Sequence, residues 1–159
     1  MRHRLSLLLS LLVLAALLSC ARESERCWVC RREIHSQVRA VVTLADGRRV
    51  NACCPRCALH YREESGNRVK EIRLTDYVRH RPLALERAYL VEGSDETPCV
   101  HEHGPMMNDS GTPMQVCFDR CMPSLIGFST GEAARAFMEQ HGGVLHPPGT
   151  FPAGAASPR

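Results

Sequence analysis

Apolar positions along this chain fall into two similar runs, framed by an unbroken apolar segment at the start and a proline-rich segment at the end. Val38-Arg39-Ala40-Val41-Val42-Thr43-Leu44 reads as a strand, Asp46-Gly47 as a turn and residues 48–52 as the returning strand. Pro55 can occupy a first helical turn and Gly66 can end a helix, so a helix is expected over 55–65, with Ala58, Leu59 and Tyr61 as its apolar contacts. Val69-Lys70-Glu71-Ile72-Arg73-Leu74 alternates and predicts another strand. Residues 79–85, with Pro82, read as a loop. The order then repeats. Ala88-Tyr89-Leu90-Val91 is a strand, and residues 94–112 are polar, rich in Gly, Pro, His and Met, and unsuited to regular structure. Met114-Gln115-Val116-Cys117-Phe118 is a candidate strand. Ser129-x-x-Glu132 reads as a capping box opening a helix that runs to His141 and stops at Gly142-Gly143. Val144-Leu145 would be a last short strand. The pattern predicts an α+β fold of two small strand-strand-helix-strand units in tandem, about 27–87 and 88–145. The tail, 146–159, is expected to be disordered.

The apolar segment changes the picture of where the chain resides. Arg2 and Arg4 precede residues 5–18, which are nearly all Leu, Val, Ala and Ser and are too short to span a bilayer comfortably. The run ends Leu17-Leu18-Ser19-Cys20. This resembles the lipobox of bacterial lipoproteins, in which the signal peptide is cut before a cysteine that then carries lipid. The resemblance implies a signal peptide over 1–19, lipidation of Cys20, a tether over 20–26, and an extracytoplasmic protein anchored to a membrane. Ala21 differs from the aspartate that retains such proteins at an inner membrane, so the periplasmic side of an outer membrane is the expected place in a two-membrane host.

Charge excludes one class of partner. Removal of residues 1–19 leaves 18 basic against 17 acidic residues, which argues against a nucleic-acid surface.

Cysteine is the informative residue. Besides Cys20 there are Cys27, Cys30, Cys53, Cys54, Cys57, Cys99, Cys117 and Cys121. An even count in an exported chain admits a disulfide framework. All but Cys99, however, lie within four residues of another cysteine, a spacing that suits chelation of one ion better than closure of tiny disulfide loops. Cys27-x-x-Cys30 and Cys54-x-x-Cys57 form two knuckles that together supply four thiolates to a tetrahedral ion. Cys57 lies in the expected first helical turn, where the helix dipole favours the thiolate. Cys53 is a further thiol beside them. A second donor cluster comprises Cys99, His101, His103, Met106, Cys117 and Cys121, with Met107, Met114 and Met122 as weaker candidates. Its mixture of thiolate, thioether and imidazole donors selects copper(I), whereas zinc would use the cysteines and histidines alone. The alternative for this cluster is a disulfide from Cys99 to Cys117 or Cys121. Met138 is expected in the core, and His35, His60, His80, His141 and His146 on the surface, with His60 the least secure because it lies one turn after Cys57.

Several of these pieces resemble the NosL family, lipid-anchored copper accessory proteins of nitrous oxide reductase biogenesis. They are Cys20, Cys27-Trp28-Val29-Cys30 with Ile34, Asp46-Gly47 followed by a strand and helix, Asp76-Tyr77, Ala88-Tyr89-Leu90-Val91, Gly104-Pro105-Met106, and Ala136-Phe137 before His141-Gly142-Gly143. The resemblance implies a pair of strand-strand-helix-strand units that delivers Cu(I), without catalysis, to a recipient metalloprotein or its maturation complex. The chain departs from the family at Arg31-Arg32, where the family has Gly-Met, and in its extra cysteines.

Two other classes compete with a metal carrier. A zinc-ribbon protein would hold zinc only to stabilise its fold. A thiol-disulfide oxidoreductase would use Cys27-x-x-Cys30, but such sites open a helix, whereas here the following residues read as a strand. Organomercurial cleavage by paired thiols would also need a positioned general acid, which the sequence does not reveal.

Overall fold

The structure, a computed structural model, describes residues 26–98, 106–107, 110, 113–114 and 120–151. The lipobox with Cys20, together with Cys99, His101, His103 and Cys117, lies outside the described residues.

The first unit follows the hydrophobic pattern closely. Strand β1 (Ala40–Leu44) buries Ala40, Val42 and Leu44 and turns Val41 and Thr43 outward, the two-residue period of a one-sided sheet. It pairs with β2 (Arg49–Ala52) across the Asp46-Gly47 turn. Gly47 adopts φ +86 there, a conformation costly for residues with a side chain. Helix α1 (Pro55–Ser65) starts with Pro55 and ends at Gly66, whose φ is +59. Strand β3 (Val69–Thr75) pairs with β1 on its other side, burying Ile72 and Leu74. A fourth strand, β4 (Pro82–Ala84), lies where a loop is expected from sequence. Pro82 is tolerated because β4 is an edge strand, which needs fewer ladder donors. The sheet order is β2-β1-β3-β4, antiparallel throughout. Helix α1 packs against its first three strands.

The second unit is also α+β, with one strand displaced from its expected position. Its sheet has the order β8-β5-β9, formed by β5 (Tyr89–Glu92), β8 (Leu125–Phe128) and β9 (Val144–His146). Of the strand expected over 114–118 only Met114 is among the described residues. Pro113–Met114 (β7) pairs with Met106–Met107 (β6) in a separate two-residue ribbon, with Met106 opposite Met114. The partner of β5 is Leu-Ile-Gly-Phe, buried at all four positions and so without the alternation that marks a half-exposed strand.

Helix α2 (Gly131–His141) ends at Gly142, φ +66, as the sequence indicates. Its cap is Thr130, whose Oγ1 accepts from the Ala133 N–H at 3.3 Å, one residue later than the expected Ser129. The Ser129 hydroxyl instead accepts from Arg79 Nη1, while its N–H donates to Asp76 Oδ2 at 2.8 Å. Phe137 lies over Phe128 and Tyr77, at centroid distances of 5.0 and 5.3 Å, and closes the small core of this unit.

Asp76 ties the units together. It is buried, pairs by an isolated bridge with Gly127 of β8, and accepts from the N–H groups of Val78 and Arg79 at 3.0 and 2.8 Å. Burial pushes its carboxyl up, but the hydrogen bonds from Ser129, Arg79 and Val78 outweigh that and hold it below the usual carboxylate range. A Cβ at Gly127 would meet Leu74 Cδ1 at 3.1 Å, a tight contact that the Leu74 side chain would have to relieve by a few tenths of an ångström.

Order also continues past the expected start of the tail. His146 belongs to β9, and Phe151 packs against the core with its ring centroid 4.9 Å from that of His146. Residues 152–159 lie outside the described residues.

Candidate metal centre

The end of β2, the first turn of α1, the amino-terminal knuckle and the segment entering β8 all converge on one point. Arg26 and Glu33 form a bridge that closes a tight loop around Cys27 and Cys30. Within it the Cys27 N–H donates to Arg32 O at 2.8 Å and the Arg31 N–H to Cys27 O at 3.0 Å, with Arg31 at φ +64. The Trp28 N–H donates to Asn51 O at 3.0 Å, fastening this knuckle to β2 immediately before Cys53. Cys53 and Cys54 follow β2, and Cys54 is the N-cap of α1 in extended conformation, without a side-chain cap bond. Cys57 is in the first turn of the helix.

Cys121 arrives from far along the chain. The Arg56 side chain, 1 % exposed, donates from Nε to Pro123 O at 3.1 Å and pairs through Nη2 with Glu92 Oε1. Glu92 Oε2 in turn meets His146 Nε2 at 3.0 Å, and the Arg56 guanidinium sits 5.6 Å from the Phe151 ring centroid. Arg56 thereby clamps the segment carrying Cys121 to the start of α1. His146 is half-buried in this network, not the surface residue the sequence suggests.

The result is one cluster of six thiols. Cys53 Sγ lies 3.4 Å from Cys30, 3.6 Å from Cys121, 3.7 Å from Cys57 and 3.9 Å from Cys54. Cys121 Sγ lies 3.7 Å from Cys57 and 3.9 Å from Cys30. Cys27 joins Cys30, Cys53 and Cys57 in a group whose sulfurs are all within 4.8 Å of one another. Four thiolates at about 2.3 Å from a tetrahedral ion stand about 3.8 Å apart, so the observed spacings are those of a chelating set. All six are free thiols. Cys53 faces four others at similar distances, a star rather than the separate pairs of a disulfide framework. All but Cys30 are buried.

The thiols share protons unevenly. Hydrogen bonding to Cys30, then to Cys53, Cys54 and Cys57, pulls Cys121 down to about 2. The bond with Cys121 pushes Cys30 up, but those with Cys27, Cys53 and Cys57 outweigh it and bring Cys30 to about 3. Cys27 is raised by Cys30 and lowered more by Cys53 and Cys57, reaching about 6. Cys53 and Cys57 are pushed far up, first by Cys121 and then by Cys27 and Cys30, with burial adding to it. The helix dipole, expected from sequence to lower Cys57, is thus overridden by its neighbours. Sulfurs this close cannot all carry charge in a buried place unless a cation joins them.

Of the sequence-derived candidates, Cys27, Cys30, Cys54 and Cys57 are brought together. Cys121 joins this cluster, whereas Cys99, His101, His103 and Cys117 lie outside the described residues. Cys53, read from sequence only as an additional thiol, is its central member. His60 has a buried Nε2 with no hydrogen-bond partner among the described residues, and it belongs to neither group of converging sulfurs. A cavity of about 10 Å³ is lined by Cys54, Cys121, Thr97 and Pro98, so the chain leaves for residues 99–105 from a wall of the cluster.

The fold is a NosL-like α+β fold. The chain is similar to the crystal structure of the copper chaperone NosL from Shewanella denitrificans, at a TM-score of 0.55 and 20% sequence identity, over 81% of this chain and 91% of that one. No protein-family model matches the sequence. No curated protein matches it.

Proposed function

We propose that this protein is a lipid-anchored, extracytoplasmic Cu(I)-binding accessory protein that hands its ion to a recipient metalloprotein of the nitrous oxide reductase type, without catalysing a reaction. The observation that carries this reading is the convergence of six thiols with sulfur separations of 3.4–3.9 Å. An all-thiolate donor set selects soft ions, Cu(I) and zinc among them. The NosL-like fold supports copper, because the similar structure is that of a copper chaperone. Partial exposure of Cys30 supports exchange, since an incoming ligand can reach the cluster there. Cys99, His101, His103, Met106 and Cys117 would act as auxiliary donors along the path of transfer.

The anchor is Cys20, whose acyl chains would hold the protein to the membrane, at the outer membrane in a two-membrane host. Among the described residues no helix is long and apolar enough to cross a membrane. Labelling with a fatty-acid analogue is expected to mark the wild-type chain and not Cys20→Ala; equal labelling of both would remove the anchor from the proposal.

One observation favours a second reading. The near-complete burial of five of the six thiols also suits a closed zinc site that serves only the fold. Anaerobic titration with Cu(I) against a chromogenic chelator, starting from zinc-loaded protein, separates the two. A carrier displaces zinc stoichiometrically and returns copper to excess chelator. A scaffold keeps its zinc, and that outcome would end the copper proposal.

A further inference from the structure

Six thiols are two more than one four-coordinate ion uses. The cluster resolves into two overlapping quartets, Cys27, Cys30, Cys53 and Cys57, and Cys53, Cys54, Cys57 and Cys121, each with its sulfurs within 4.8 Å of one another. Cys53 and Cys57 belong to both. Their sulfurs are 3.7 Å apart, and Cys53 reaches Cys30 of one quartet at 3.4 Å and Cys121 of the other at 3.6 Å. They occupy the middle of the cluster. A thiolate sulfur has lone pairs enough to bind two soft ions at once.

We infer that the six cysteines form a binuclear thiolate centre in which Cys53 and Cys57 bridge two Cu(I) ions, Cys27 and Cys30 completing one site and Cys54 and Cys121 the other. The inference rests on the metal-binding reading above. Charge argues in the same direction. One monovalent ion among six sulfurs, five of them buried, would leave either much uncompensated negative charge or several protons trapped among the donors, and a second ion reduces both. The arrangement also orders the two sites. The Cys27–Cys30 site contains the partly exposed thiol, and the Cys54–Cys121 site borders the cavity at Pro98. Cys30 and Cys121 are 3.9 Å apart across the divide, close enough for an ion to change sites without leaving sulfur.

The test uses the full-length chain, purified anaerobically in detergent, loaded with Cu(I), separated from excess metal and analysed for copper per chain and for metal–metal scattering at the copper absorption edge. The wild type should retain two Cu(I) in the cluster and show a short copper–copper vector. Cys54→Ser should retain one and lose that vector, because its quartet alone is broken. Cys53→Ser should bind both ions at least about a hundredfold more weakly, because it removes a shared ligand. If Cys53→Ser does not fold, the Cys54→Ser result still decides. Saturation at one Cu(I) with no copper–copper vector, in wild type and Cys54→Ser alike, would overturn the binuclear centre while leaving the copper-binding reading intact. Failure of the wild type to retain any Cu(I) would overturn both.

Discussion

Serine in place of Cys53 is expected to reduce the stability of the metal-loaded protein by about 3 kcal/mol or more while changing the metal-free protein by less than about 1.5 kcal/mol. Cys53 is fully buried and central, so its sulfur touches four other thiols. Serine is close to it in shape but a poor ligand for a soft ion. Metal bound only by the folded chain stabilises it by the logarithm of ligand concentration over dissociation constant, so each tenfold loss of affinity removes about 1.4 kcal/mol. A hundredfold loss therefore lowers the holo-protein by about 2.7 kcal/mol for each ion so weakened, and a small packing cost adds to it. Thermal unfolding with and without Cu(I) measures both numbers. Equal destabilisation of the two forms would make Cys53 a packing residue and not a ligand. The affinity should also fall as pH is lowered, because Cys53 and Cys57 hold their protons far above the ordinary thiol value and must release them to bind.

Arg56→Leu should have the largest effect on the fold itself, roughly 2–3 kcal/mol, the cost of removing a buried charged donor from a part-buried ion pair and from the Pro123 carbonyl. Arg56 is 1 % exposed, while its partner Glu92 keeps 25 % of its side chain exposed and a second contact with His146. The substitution leaves the Pro123 carbonyl without the Arg56 donor and releases the segment that delivers Cys121. Unfolding in urea should show the full loss, and the double variant Arg56→Met with Glu92→Met should recover a substantial part of it, because no charge then remains unpaired. No recovery would show that the hydrogen bond to Pro123, rather than the ion pair, carries the effect.

Much of the first unit was legible because its elements carry local signals. The Asp46-Gly47 turn fixes the hairpin, Pro55 and Gly66 bracket α1, and alternation marks β1 and β3. In the second unit, Gly142-Gly143 ends α2 as read, but β8 gave no periodic signal. Leu125, Ile126, Gly127 and Phe128 are all buried, so the run lacks polar punctuation. Met114-Gln115-Val116-Cys117-Phe118 has better strand residues and drew the assignment instead. Part of the metal cluster was legible from the two Cys-x-x-Cys knuckles. Cys53 was undervalued because that spacing selects Cys54 and Cys57. The position of Cys53 at the end of a strand running straight into a helix was the available signal, since two adjacent cysteines at such a junction can both reach the same point. Cys121 could not be placed from spacing at all. It lies 64 residues from Cys57 and 91 from Cys30, and it is brought there by tertiary ties such as the Arg56 clamp, the Arg120–Glu64 pair and the return of the chain into β8.

Copper K-edge absorption of the full-length protein, loaded anaerobically with Cu(I), tests the central claim most directly. If the six-thiol cluster is the copper site, the first coordination shell consists of sulfur alone and the outer-shell pattern of imidazole is absent. A first shell containing histidine nitrogen would move the ion to His101 and His103, and would contradict the assignment of copper to Cys27, Cys30, Cys53, Cys54, Cys57 and Cys121.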